Sequence, residues 1–147
     1  MNRLLWYGGE WHETVDGEVR DINNPATGLP IGTTTVAGPQ DVERAVLAAE
    51  KAKPDWVMMH PDDRAKIIHS AADLIRRDVD EIARVLTLEQ GKPLCDSRKE
   101  ILFGVKVLHY YAEEGKRTFG SLSPSSAQDV RNIIQSQPSG IAAAIVP

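Results

Sequence analysis

Residues 141–146 (IAAAIV) form a continuous apolar run between Gly140 and Pro147. A run of that length, bounded by a glycine and a proline, suits a strand covered on both faces, as in a parallel sheet. Such a strand needs partners on both edges, because each buried, unpaired backbone group costs on the order of 1–3 kcal/mol. The pattern therefore predicts a segment made for the middle of a sheet, in a chain cut off inside a larger fold. An edge strand or a loose tail is the simpler alternative.

The other segments read as short strands followed by helices, an α/β arrangement. Residues 4–7 and 10–12 flank Gly8-Gly9, a two-residue hairpin signal. Residues 18–22 run into Asn24-Pro25-Ala26-Thr27-Gly28, where proline presets one turn angle and glycine accepts a positive φ. The β-branched stretch 31–36 predicts a strand. Val42, Ala45, Val46, Ala49 and Ala52 recur at helical spacing from Pro39, and Pro54 is expected to end that helix. Residues 61–90 carry one unbroken apolar stripe, compatible with one long helix or with two that break near Arg77-Asp78. Gly91 and Pro93 close it. Ser97 and Glu100 fit a capping box that opens a further helix, whose inner face is Ile101, Val105, Leu108 and Ala112. Residues 121–126 (SLSPSS) read as a polar connector, and Val130 to Gln137 (VRNIIQSQ) as an exposed strand.

Charge and cysteine content narrow the function classes. Lys and Arg number 17 against 21 Asp and Glu, a net charge of −4, which argues against a non-specific nucleic-acid binder. Cys95 is the single cysteine, so no internal disulfide framework exists and a reducing, cytoplasmic setting is expected. No apolar run approaches the ~20 residues that span a bilayer.

No catalytic constellation follows from spacing. Neither G-x-G-x-x-G nor G-x-x-x-x-G-K-[ST] occurs; Gly115 and Gly120 have the spacing of the latter's glycines, but Ser121 stands where lysine is required. Cys95 lies near a helix start, which can activate a thiol, yet no histidine adjoins it. His12, His60, His69 and His109 share no metal-ligand spacing and read as surface or half-buried residues. Asp62-Asp63 and Glu113-Glu114 are consecutive and so do not face each other on a helix. Arg76-Arg77 reads as a solvated patch, and of Tyr110-Tyr111 at most one ring can enter a core. In Glu89-Gln90-Gly91-Lys92-Pro93 the glycine caps a helix and the lysine meets its negative end.

Taken in order, these segments resemble the N-terminal third of the aldehyde dehydrogenase family. The matching elements are YGGEW (7–11), NPATG (24–28), DVERAVLAAEKA (41–52) followed by Trp56, the helix bearing Arg64, LTLEQGKP (86–93), the helix ending YYAE (110–113) and QPSGIAAAIVP (137–147). EQGKP is similar to the succinate-semialdehyde branch. The resemblance implies a Rossmann-type NAD(P) domain, a catalytic domain and an oligomerisation arm. It also implies oxidation of an aldehyde to an acid: a cysteine thiolate attacks, hydride passes to NAD(P)+, and glutamate-activated water releases the acid.

The same resemblance divides the chain at 1–128 (strands and helices of the cofactor domain), 129–138 (arm strand) and 139–147 (start of the cofactor sheet). In the family, Pro147 precedes Trp-Asn-Phe-Pro with its oxyanion-holding asparagine. The cofactor lysine, glycine-rich loop, general base and nucleophile lie further on. Cys95 does not match the nucleophile. No catalytic and no cofactor-binding residue can be carried onto this sequence, and neither NAD nor NADP is expected to bind this chain alone.

Less central roles carry over. Phe103 matches a position lining the substrate channel. Glu89, with the backbone near Ile22, matches a monovalent-cation site. Residues 130–137 match a strand that pairs across subunits of a homo-oligomer. The resemblance thus implies a truncated aldehyde dehydrogenase, inactive by itself, whose partners are an aldehyde substrate and copies of itself, with no nucleic acid or membrane. The alternatives are a non-catalytic interaction module that uses the arm strand, and a thiol protein that uses Cys95.

Overall fold

A computed structural model describes residues 2–146, with side chains from Leu4 onward. Strand β1 (Asn2–Arg3) runs parallel to β5 (Pro30–Val36), and β4 (Glu18–Asn23) pairs antiparallel with the other edge of β5, giving the order β1-β5-β4. Strands β2 (Leu5–Tyr7) and β3 (Glu10–His12) form the expected hairpin. Gly8 and Gly9 at its tip have φ of +64° and +88°, the left-handed pair that a tight two-residue turn requires. The NPATG segment closes β4 onto β5: the Asn24 side chain accepts from the Ala26 N–H, its carbonyl accepts from Gly28, and Gly28 has φ +72°.

Four helices follow. Helix α1 spans Pro39–Met58, so Pro54 lies inside it and does not end it. The proline removes one N–H, but the last turn is held from beyond. Met59 N–H donates to the Asp55 carbonyl at 3.0 Å, and the Arg64 guanidinium donates to the Met59 carbonyl at 2.6 Å.

The stripe over 61–90 resolves into two helices, α2 (Pro61–Arg77) and α3 (Val79–Gln90). Asp78 is the hinge, with φ −98° and ψ 16°. Its N–H donates to Leu74 and its carbonyl accepts from Ile82, so hydrogen bonding continues through the joint and the apolar phase is kept. The Arg77 guanidinium grips the Asp78 carboxylate through two contacts of 2.8 and 2.7 Å.

Helix α4 (Leu94–Glu114) begins a turn earlier than the Ser97–Glu100 pattern suggests. Pro93 supplies the preset φ before the first turn. Ser97 is therefore not a cap. It is fully buried, with its hydroxyl 2.8 Å from that of Thr87, which ties α4 to α3. Glu100 pairs with Lys92 instead.

The core is a seam of small side chains where α2, α3 and α4 meet: Ala65, Ala72, Val79, Ala83, Val105 and Ala112 are all buried. The connector at 121–126 is in part a strand. Strand β6 (Ser121–Pro124) pairs antiparallel with β7 (Arg131–Ile134), the centre of the predicted 130–137 strand. Polar composition hid β6, because both of its faces are largely solvated and no alternation is needed.

Residues 141–146 form no hydrogen-bonded strand, contrary to expectation. No strand among the described residues pairs with them, and the distal part is open, with Ile145 fully exposed. Ile141, Ala142 and Ala143 instead lie along an apolar groove with β2 and the Val42–Ala45–Val46–Ala49 stripe of α1. Pro147 lies outside the described residues.

One carboxylate joins the strands to the helices. Asp41, buried in the first turn of α1, accepts from the Thr14 hydroxyl, from Val15 N–H at 3.0 Å and from Gly38 N–H at 3.1 Å. The Thr14 hydrogen bond is the main force holding this carboxyl below its ordinary range; burial opposes it, and the two backbone donors assist. A depressed value in the folded chain means stability that is present above the ordinary 3.8 and is lost as pH falls through the folded value. Asp41→Ala is expected to lower the neutral-pH melting temperature by on the order of 5–10 °C. In melts recorded from pH 7 to pH 2 (roughly the carboxylate range), that gap should close on the acid side. A gap that stays constant throughout would contradict the assignment.

Candidate functional site

The β4–β5 turn and the end of α3 build the first candidate. Ile22 on β4 and Glu89 in the last turn of α3 line one cavity of about 210 Å³, together with Ile31, Arg84, Val85 and Leu88. The structure thus brings together the two positions expected to share a monovalent cation. A local packing contact sets their spacing. Gly91 ends α3 in the left-handed conformation, φ +78°, and its Cα faces the Pro25 ring so closely that a Cβ there would lie 2.8 Å from Pro25 Cγ. NPATG and EQGKP therefore meet in space.

Phe103 sits on the outer face of α4, 66% exposed, and does not line that cavity. Tyr110 and Tyr111 are also exposed, and their rings meet edge to face at 5.3 Å, so neither enters the core. On β7, Ile133 and Ile134 face solvent. The hairpin shows Trp6 and Trp11, opposite each other across the strands, with ring centroids 4.9 Å apart.

Cys95 is exposed in the first turn of α4. His12 stacks on Tyr7, and His60 accepts from Asp62 N–H at the start of α2. Asp63 pairs with Lys66 at 2.7 Å, and that bond lowers the Asp63 carboxyl. Arg76 and Arg77 are exposed and pair with Asp73 and Asp78. Sequence reasoning missed one juxtaposition: His69 of α2 and His109 of α4 stand 2.7 Å apart, nitrogen to nitrogen, with Glu113 beside them. The i, i+4 spacing of His109 and Glu113 was the available signal. Among the described residues no group of three His, Cys, Asp or Glu is placed to hold a metal ion.

The groove along α1 is largely apolar, with Tyr7 and Asp41 in its lining, and the Asp41 carboxylate is taken up by Thr14, Val15 and Gly38. The cavity at β6–β7 sets Asp129 against Arg131, so it offers no net positive wall. No helix among the described residues is long and apolar enough to cross a membrane.

A sequence model described as "Aldehyde dehydrogenase family" matches residues 11–147. The chain belongs to the aldehyde dehydrogenase family. It is 38% identical over 139 residues to succinate-semialdehyde dehydrogenase [NADP(+)] of Escherichia coli, covering 95% of this chain and 29% of that protein. It is 38% identical over its whole length to glutarate-semialdehyde dehydrogenase of Pseudomonas aeruginosa, covering 30% of it. Among solved structures, succinate-semialdehyde dehydrogenase from Burkholderia pseudomallei superposes with a TM-score of 0.83 at 34% identity, over 88% of this chain and 27% of that one. The chain thus spans under a third of the length of the aldehyde dehydrogenases it matches, and its α/β fold is the corresponding part of theirs.

Proposed function

We propose that this chain contributes the strand-and-helix frame of an NAD(P)-dependent aldehyde dehydrogenase that oxidises the semialdehyde of a short dicarboxylic acid. The observation that carries the reading is the family match along residues 11–147. The names of the relatives from E. coli and P. aeruginosa support the substrate class. In this reading the chemistry itself belongs to groups outside the described residues.

In this reading each surface has a task. Phe103, exposed on α4, presents an apolar ring to the path of the aldehyde. The Glu89 carboxylate and the backbone at Ile22 hold a monovalent cation that fixes the β4–β5 turn against α3, a role supported by the cavity they share. Residues 1–128 form the frame, 129–138 the arm strand, and 139–147 the entry to the cofactor sheet. The solvent-facing isoleucines of β7 support pairing with a second copy. The same open strand also favours a second reading, a non-catalytic module that binds its own kind.

The test compares the 147-residue chain with the same chain joined in frame to the remaining part of the E. coli relative. With succinate semialdehyde and NADP+, the joined protein is expected to produce NADPH and the short chain none. A joined protein that melts cooperatively but turns over neither this nor any simple aldehyde overturns the reading in favour of the binding module. Turnover by the short chain overturns the assignment of the chemistry elsewhere.

A further inference from the structure

Four titratable side chains meet where α2 crosses α4. The rings of His69 and His109 stack with centroids 5.0 Å apart, and their Nδ1 atoms are 2.7 Å apart. His69 Nε2 lies 2.8 Å from a Glu113 oxygen, and His109 Nε2 lies 3.6 Å from an Asp73 oxygen. Both imidazoles are about two-thirds covered.

A 2.7 Å separation between two ring nitrogens holds one proton: one nitrogen carries the hydrogen and the other offers its lone pair. Glu113 decides which. Its carboxyl is held below the ordinary range, first by the His69 hydrogen bond and then by Lys116, so it is an acceptor and His69 Nε2 carries a hydrogen. Neutral His69 therefore has a bare Nδ1, and His109 donates Nδ1–H to it. A first added proton settles on His109 Nε2, facing Asp73, and leaves the ring-to-ring bond intact. The only site left for a second is His69 Nδ1. Filling it sets two N–H groups and two positive rings head to head.

Charged side chains of both signs surround the pair, with acids outnumbering bases. On α2 stand Asp62, Asp63, Lys66, Asp73 and Arg76, and on α4 and just past its end Glu113 and Lys116. Lys116 bridges Glu113 at 3.0 Å and Asp62 at 3.5 Å, and Arg76 reaches Asp73 at 3.9 Å. Helix α3, also packed on α2, carries Asp80, Glu81, Arg84 and Glu89. Of these, Asp80 pairs with Arg98, and Arg84 and Glu89 line the cavity at Ile22.

We propose that His69 and His109 form an acid-sensitive clasp between α2 and α4, closed with up to one added proton and forced open by the second. Opening loosens the contact that buries Ala65, Ala72, Val105 and Ala112, so acid would act on the helical core from this one point.

Nitrogen-detected NMR of the full chain with labelled histidines reads the clasp directly. At about pH 7.5, where imidazoles are largely neutral, His69 is expected to show a hydrogen-free Nδ1 and His109 a protonated one. The same tautomer in both rings overturns the proposal. Melting of the wild type and of His109→Gln supplies the second readout. The wild type should melt higher at about pH 7.5 and lower at about pH 4.5, each by on the order of 3 °C. An unchanged order at the two pH values overturns it. Because the NMR arm uses the unaltered chain, a variant that fails to fold leaves the proposal open to refutation.

Discussion

Val105→Asp is expected to abolish the cooperative melt of this chain at neutral pH. Val105 is the largest side chain buried without residue, at 0% exposure, and it stands on α4 where α2 and α3 close over it. A carboxylate there is enclosed in the apolar core with the buried alanines and Val79. Burying an unpaired charge costs several kcal/mol after relaxation, against a total stability of about 5–15 kcal/mol for a domain. Val105→Ala removes only two methyl groups and is expected to cost about 2 kcal/mol, leaving a sharp transition at lower temperature. Circular dichroism melts of the three proteins decide the matter. A Val105→Asp protein melting within a few degrees of the wild type would show that the seam is wet or mobile.

Gly91→Val should produce the next largest loss, from two separable causes. The residue occupies φ +78°, where a side chain costs about 1–2 kcal/mol. Its Cβ would also stand 2.8 Å from the Pro25 ring carbon, an overpacked contact worth about 1–3 kcal/mol. Together they predict a fall in melting temperature on the order of 10 °C. Gly91→Asn keeps the steric conflict but tolerates the left-handed backbone better. Pairing it with Pro25→Ala should recover most of the loss. Failure of the pair to recover would mean that the two motifs do not lean on one another.

Local chemistry made much of this architecture readable in advance. Gly8-Gly9 fixed a hairpin because two consecutive positive φ angles admit little else, and Asn24 to Gly28 specified a turn for similar reasons. The helical stripes announced α1 to α4 through their spacing. The errors arose where a distant partner outweighed a local rule. Pro54 should stop a helix, but it removes only one N–H, and Arg64 from the following helix caps the carbonyls of Trp56 and Met59 at the end of α1. Ser97 and Glu100 spell a cap, but Thr87 and Lys92 claim them.

Residues 121–124 pair with 131–134, and only the second of these strands is marked in the sequence. Residues 141–146 read as a strand from hydrophobicity alone, while strand formation also requires a hydrogen-bonding edge, which no periodicity encodes. Ile22 and Glu89, linked beforehand only through the family resemblance, do converge on one cavity. The meeting of His69 with His109 spans forty positions and could be suspected only from His109 and Glu113 on a shared face.

The alanine-rich joint between the three long helices has a mechanical corollary. With alanines at most of the buried positions, little side-chain bulk fills the seam, and the spacing of the rods has little slack to absorb a change in either direction. Sliding one rod by a single residue would drive a bulkier neighbour into a gap shaped for a methyl group. The three must therefore shift as a unit or come apart, and a disturbance at one crossing will be felt at the others without any moving part between them.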